Sequence, residues 1–272
     1  MLVLIKGAGD LATGTACRLH RAGFQIVMTD LEQPTAVRRT VAFSQCIYDG
    51  VTQVEGITAR RAETSDQAAD LIRKGEIPVL ADPQAKVRRK LSIDAVVDAI
   101  LAKKNLGTRI TDAPIVLALG PGFTAGVDCH GVIETQRGHH LGRLLLEGSA
   151  APDTGIPGDI GGYTTQRLIR ASAGGMFLPA VEIGAQVQEG DVVARVGDTP
   201  VYAQMSGMVR GMLPPGCMVT QGMKAGDIDP RCSREHCFTV SDKARAIGGG
   251  VLEGLLYFLY GKDGRFCAVK GG

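Results

Sequence analysis

The sequence predicts an α/β protein: a parallel sheet flanked by helices over residues 1–175, an inserted all-β domain over 176–231, and a helix within 232–272 that returns to the first domain. Three observations predict this. The apolar run Leu2-Val3-Leu4-Ile5-Lys6 passes straight into a glycine turn and a helix-like stretch. Apolar runs then alternate with helical periods to about residue 104, as a parallel sheet requires. Between about 177 and 229 the helical period is absent, valines multiply and glycines fall at turn spacing.

The first turn is Gly7-Ala8-Gly9-Asp10-Leu11-Ala12, and the next apolar run, Gln25-Ile26-Val27-Met28-Thr29, closes on Asp30. A strand that becomes a helix at once needs a tight bend at Gly7 and a bare backbone at Gly9 for a pyrophosphate to approach, with Ala12 in the third small-residue position. The following helix directs free N–H groups at a phosphate, and Asp30 stands where a carboxylate would accept a ribose hydroxyl. Gly7, Gly9, Asp10, Ala12 and Asp30 are therefore the candidate contacts of a dinucleotide in a Rossmann-like domain. A βαβ unit whose glycines only pack helix on strand stays open.

Further helices are expected over 11–21, 65–74 and 93–103, with strands over 25–29, 40–43, 77–81 and 115–119. The last of these strands enters a second glycine turn, Gly120-Pro121-Gly122. Both turns fall at the carboxyl edge of the sheet, so Gly120 and Gly122 are expected at the same crevice as Gly9.

The all-β stretch repeats itself at an offset of 32: Gly184, Val187, Gly190 and Val196 align with Gly216, Val219, Gly222 and Ile228. It resembles the biotinyl/lipoyl-type barrel-sandwich hybrid, whose modified lysine projects between the two halves. Here that tip reads Val196-Gly197-Asp198-Thr199-Pro200, without lysine, so the domain reads as a lid, an interface or a substrate-facing wall. The last helix, over about 241–260, contains Gly248-Gly249-Gly250. Each glycine costs a helix interior about 1 kcal/mol against alanine, so that face must meet another backbone or a ligand. Close packing is one answer, and Gly248 and Gly249 lining the nucleotide crevice is the other.

Asp128, His130, Glu134 and Arg137 form the polar centre of the chain. On a strand through Val132, alternate residues share a face, so the carboxylates and the imidazole would meet, suited to proton transfer, with Arg137 as an anion clamp. The spacing does not make a metal site. His236 beside Cys237, ahead of a helix, would lower the thiol pKa and suit sulfur or selenium handling; an ordinary thiol is the alternative. No serine-nucleophile elbow or P-loop is present.

A net charge of +2, no Trp and 4% aromatic residues argue against nucleic-acid binding. Short basic pieces such as Arg38-Arg39 read as solvated faces or phosphate contacts. No apolar stretch approaches the roughly 20 residues of a membrane span. Seven cysteines, from Cys17 to Cys267, fit reduced thiols and a cytoplasmic location. A homo-oligomer is compatible with the sequence and not fixed by it.

Several long strings carry a resemblance over nearly the full length: Lys6 to Gly14, Arg21 to Phe24, Val27 to Asp30, Leu119 to His130, Ile133 to His139, Thr154 to Gly158, Asp227 to Arg231 and Ser241 to Glu253. They resemble the YqeB family, accessory proteins of the selenium-dependent molybdenum hydroxylase system, and distantly the xanthine dehydrogenase accessory proteins. The resemblance implies a maturation factor that binds a dinucleotide such as molybdopterin dinucleotide and assists its sulfur or selenium modification or its insertion. Its partners would be a hydroxylase apoenzyme or cofactor-biosynthesis proteins. Two other readings follow from the residues: an NAD(P)-dependent oxidoreductase with His130 as proton donor, and a nonenzymatic adaptor.

Overall fold

In the computed structural model, residues 1–261 are described. Strand β1 (Leu2–Lys6) is central in a nine-stranded sheet, and both its faces are buried because Val3 and Ile5 enter one core while Leu4 enters another. The chain continues through α1 (Asp10–Arg21), β2 (Gln25–Asp30), α2 (Cys46–Asp49), β3 (Val51–Val54), β4 (Ile57–Arg61), α3 (Ser65–Arg73), β5 (Ile77–Ala81), β6 (Ala95–Asp98) and β7 (Ile115–Leu119). After a two-residue strand, β8 (Thr124–Ala125), come β9 (Gly131–Ile133), β10 (Leu144–Leu145) and β11 (Gly148–Ser149), the last pairing with β8.

The sheet order is β10-β9-β7-β6-β1-β2-β5-β4-β3. Its middle is parallel, but β10 on β9 and β3 on β4 run antiparallel at the two edges. This corrects the expected Rossmann-like parallel sheet to a mixed one. The helix expected over 93–103 is instead β6 and an irregular stretch, because Ala95, Val96, Val97 and Asp98 are all buried and Val96-Val97 favours extended backbone. The strand expected over 40–43 is two 3₁₀ turns, Arg39–Val41 and Phe43–Gln45.

The remaining strands are β12 (Leu168–Arg170), β13 (Gly175–Pro179), β14 (Gln186–Val187), β15 (Val192–Val196), β16 (Thr199–Tyr202), β17 (Gly207–Met212), β18 (Cys217–Val219) and β19 (Lys224–Asp229). They form two four-stranded sheets, β12-β19-β17-β14 and β16-β15-β13-β18, each with antiparallel pairing. The repeat is visible here, since β14 and β15 of the first copy lie in different sheets, as do β18 and β19 of the second. The expectation of a single biotinyl/lipoyl-like hybrid set into a parallel domain gives way to a mixed nine-stranded sheet joined to two antiparallel sheets. This β unit takes in β12, from the stretch assigned to the first domain, and encloses its own core around Phe177, Val193 and Val209.

Two helices close the chain: α4 (Glu235–Phe238) and α5 (Asp242–Tyr260). The Ser241 hydroxyl starts α5 by accepting from Ala244 N–H at 3.2 Å. Helix α5 packs on α1, so the last helix does return to the first sheet. A Cβ on Gly14 would stand 2.6 Å from Ala244 Cβ, and one on Gly250 would stand 2.0 Å from Gly142 O. Gly14 lets the two helices approach and Gly250 lets α5 close on the turn at Gly142; the cost of glycine in α5 is offset by that packing. The segment after β2 clips the two units together, with Met212 N–H on Val37 O at 2.7 Å and Arg39 Nε on Met212 O at 2.8 Å.

Candidate functional site

A cleft of about 660 Å³ opens where α1 begins, between the nine-stranded sheet and the β unit. Gly9 is the N-cap of α1 in extended backbone, and no side chain caps the helix. The amide end of a 12-residue helix therefore faces the cleft with its positive dipole end. A Cβ on Gly9 would meet only Ala36 Cβ, at 3.9 Å, so the space beside this backbone is open.

Six cationic side chains line the cleft, against three carboxylates. Arg38, only 5% exposed, pairs with Asp10 at 2.8 Å and donates to the carbonyls of His236 and Thr239 at 2.8 and 3.0 Å. Arg137 makes a two-point pair with Asp242 at 2.7 and 3.0 Å. From the β unit, Arg167 and Arg210 share Asp227, at 3.1 and 2.6 Å. The ammonium groups of Lys224 and Lys243 have no ion pair or hydrogen bond to any described residue. Desolvation by the surrounding cleft walls lowers the pKa of both, although Lys224 keeps an exposed surface, and neighbouring arginines add to the effect.

Buried polar atoms without a partner concentrate here. Among the described residues five side-chain atoms are of this kind, and three of them, Asp10 Oδ1, Arg38 Nε and Arg167 Nε, belong to residues that line the cleft. Such atoms are costly unless a ligand or solvent meets them.

The residues expected to hold phosphate divide. Gly9 and Asp10 line the cleft, and so does Pro121 of the second glycine turn, which puts both turns at one crevice. Gly7 (φ +93°) serves the chain itself: a Cβ there would stand 2.8 Å from Ala99 O. Gly120 and Gly122 likewise make room for Thr135 and for the backbone of Lys104. Ala12 is fully buried in the core. Asp30 braces the first turn, its carboxylate accepting from Ala8 N–H and Leu31 N–H, both at 2.7 Å, and burial raises its pKa. Gly248 packs on Gly14 and Thr15, while Gly249 has no heavy atom within 4 Å of its Cβ position; neither lines the cleft.

The polar quartet does not converge. Asp128 accepts from Thr124 N–H and Asn105 Nδ2 in a turn. His130 is turned to the backbone: its Nδ1 accepts from Val116 N–H at 2.9 Å, and burial lowers its pKa. Glu134 accepts from Gln136 N–H and Ala151 N–H at 2.6 and 2.8 Å, which fixes two loops of the cleft wall. Only Arg137 of the four lines the cleft. Cys237 departs from the expected reactive thiol: it is fully buried, donates to Val209 O, and burial raises its pKa despite Arg38 nearby. Among the described residues no three His, Cys, Asp or Glu side chains are grouped to hold a metal ion. Cys267 lies outside the described residues.

Sequence reasoning passed over Arg167, Arg210, Lys224 and Lys243. A signal existed for one of them, since Lys243 lies within Ser241 to Glu253, one of the strings that carry the family resemblance.

The fold and cleft define an α/β protein with a cation-lined cleft between two units. No family model matches the chain. It is 53% identical over 259 residues, 95% of its length, to the "Uncharacterized protein YqeB" of Escherichia coli (strain K12), and it spans 48% of that protein. This identity supports membership of the YqeB family. Solved structures that align include an aspartoacylase family protein from Mesorhizobium loti, at 12% identity and TM-score 0.28, and a succinylglutamate desuccinylase from Silicibacter sp. TM1040, at 17% and 0.26. Each alignment covers 84% of both chains. At these TM-scores the alignments carry no argument for this chain. No helix among the described residues is long and apolar enough to cross a membrane.

Proposed function

We propose that the chain is an accessory protein that receives a phosphate-bearing dinucleotide in the cationic cleft and serves the maturation of a molybdenum hydroxylase. The observation that carries the binding half is the concentration of unpartnered buried polar atoms at a cleft with two unpaired lysines and the bare amide end of α1. The pyrophosphate would sit on the amides at Gly9, with Lys243 supplying positive charge and Arg38 neutralising Asp10 in advance. Asp10 Oδ1 would accept from a ligand hydroxyl or amine. A molybdopterin dinucleotide supplies such a pyrophosphate.

The maturation half rests on the family resemblance. Because Cys237 is sealed and its thiol pKa raised, the reading favours binding and presentation of the cofactor over sulfur or selenium transfer through that residue. The test is mass spectrometry of small molecules released from anaerobically purified protein, followed by capture of a hydroxylase apoenzyme. A pterin dinucleotide is the expected species. NAD or NADP in its place would turn the reading toward an oxidoreductase, and an empty protein without hydroxylase binding would end it.

A further inference from the structure

We propose that the β unit builds a second anion subsite in the cleft, from Arg167, Arg210 and Lys224, suited to a phosphate monoester. The inference rests on the reading of the cleft as an anion site and adds a second place there, on a wall that α1 does not form, for a monoester that the pyrophosphate of a dinucleotide does not itself supply. Its basis is independent of the glycine turn.

Three cations of the β unit line the cleft with a single lining carboxylate, Asp227, which both arginines share and which leaves Lys224 without a counterpart. The nearby Asp229 is engaged elsewhere, accepting from Arg231 at 2.7 and 2.9 Å while Arg210 stands 3.5 Å away. Arg167 is only 4% exposed, and its Nε is buried without a partner, although its Nη atoms reach Asp227 and Gly158 O. Lys224 is accessible from the cleft and has no pairing partner among the described residues. The two donors without a partner, Arg167 Nε and Lys224 Nζ, therefore both belong to residues that line the cleft from the β unit. A monoester supplies about two negative charges and several acceptor oxygens, whereas a carboxylate supplies one charge.

The test is calorimetric titration of the full chain with inorganic phosphate, then with methyl phosphate, at low ionic strength. Wild type is expected to bind two phosphates. Lys224→Met, at an accessible position, should keep its melting temperature, lose one site by at least tenfold in affinity and retain the other. Gly9→Val should lose the site that Lys224→Met keeps. Methyl phosphate should bind the β-unit subsite as phosphate does, and Lys86→Met should change nothing. Absence of binding to wild type, an unchanged titration in Lys224→Met, or rejection of methyl phosphate would overturn the subsite. Retention of both sites by Gly9→Val would instead remove the pyrophosphate position on α1 and leave the subsite standing.

Discussion

Arg38 and Asp10 form an ion pair of 2.8 Å at the first turn of α1, and the same guanidinium is tied to the carbonyls of His236 and Thr239. One side chain thus fixes the start of the helix, the residues before α5 and the floor of the cleft. Arg38→Met is expected to leave Asp10 as an uncompensated, largely enclosed carboxylate and to lower stability by about 3 kcal/mol. Urea unfolding measures this, and an unchanged midpoint would show that the pair is incidental.

The triple glycine of α5 predicts effects of opposite sign at adjacent positions. Gly249→Ala places a methyl in open space within a helix and should raise stability by up to about 1 kcal/mol. Gly250→Ala drives a methyl into Gly142 O and should cost about 1–3 kcal/mol or more. Thermal melts of the two variants decide it; equal shifts would contradict the packing argument.

Cys237 should resist thiol reagents in the folded protein while the exposed Cys232 reacts. Labelling followed by peptide mass spectrometry is the measurement. Rapid modification of Cys237 with the fold intact would restore it as a candidate sulfur carrier.

Anion affinity should fall with rising pH earlier than ordinary lysines allow. Lys224 and Lys243 have folded-state pKa values below the lysine norm, so each loses its charge before 10.5 as pH climbs. A bound anion favours the charged form, so protons are taken up on binding in that range. Titrating pyrophosphate at several pH values in two buffers of different ionisation enthalpy reads both effects; affinity independent of pH up to 10.5 would exclude the lysines from the site.

Local order was legible in the sequence where one period dominated. The run Leu2-Val3-Leu4-Ile5-Lys6, the helix after Gly9 and the strand over 115–119 all stand where pattern placed them. Residues 93–103 misled because a short buried strand and a helix turn share apolar content, and burial of Val96 and Val97 on both faces is a tertiary fact. One edge of the sheet was hidden for a similar reason: β9 and β10 have three and two residues, too few to show an alternation. Of the candidate site, Gly9, Asp10 and Arg137 were legible by motif or charge. Arg167, Lys224 and Lys243 come from three separate stretches and meet only in the folded chain, whereas Asp128, His130 and Glu134 shared a sequence pattern but are taken up by backbone amides.

Gly9 carries the central claim, because its extended backbone accepts a side chain without strain and its Cβ position opens on the cleft. The direct measurement is the affinity of wild type and Gly9→Val for ADP, as a pyrophosphate probe, with melting temperatures taken on the same samples. The account predicts at least a tenfold loss of ADP affinity in Gly9→Val with the melting temperature preserved. Equal affinity in the two proteins would contradict it and move the phosphate site away from α1.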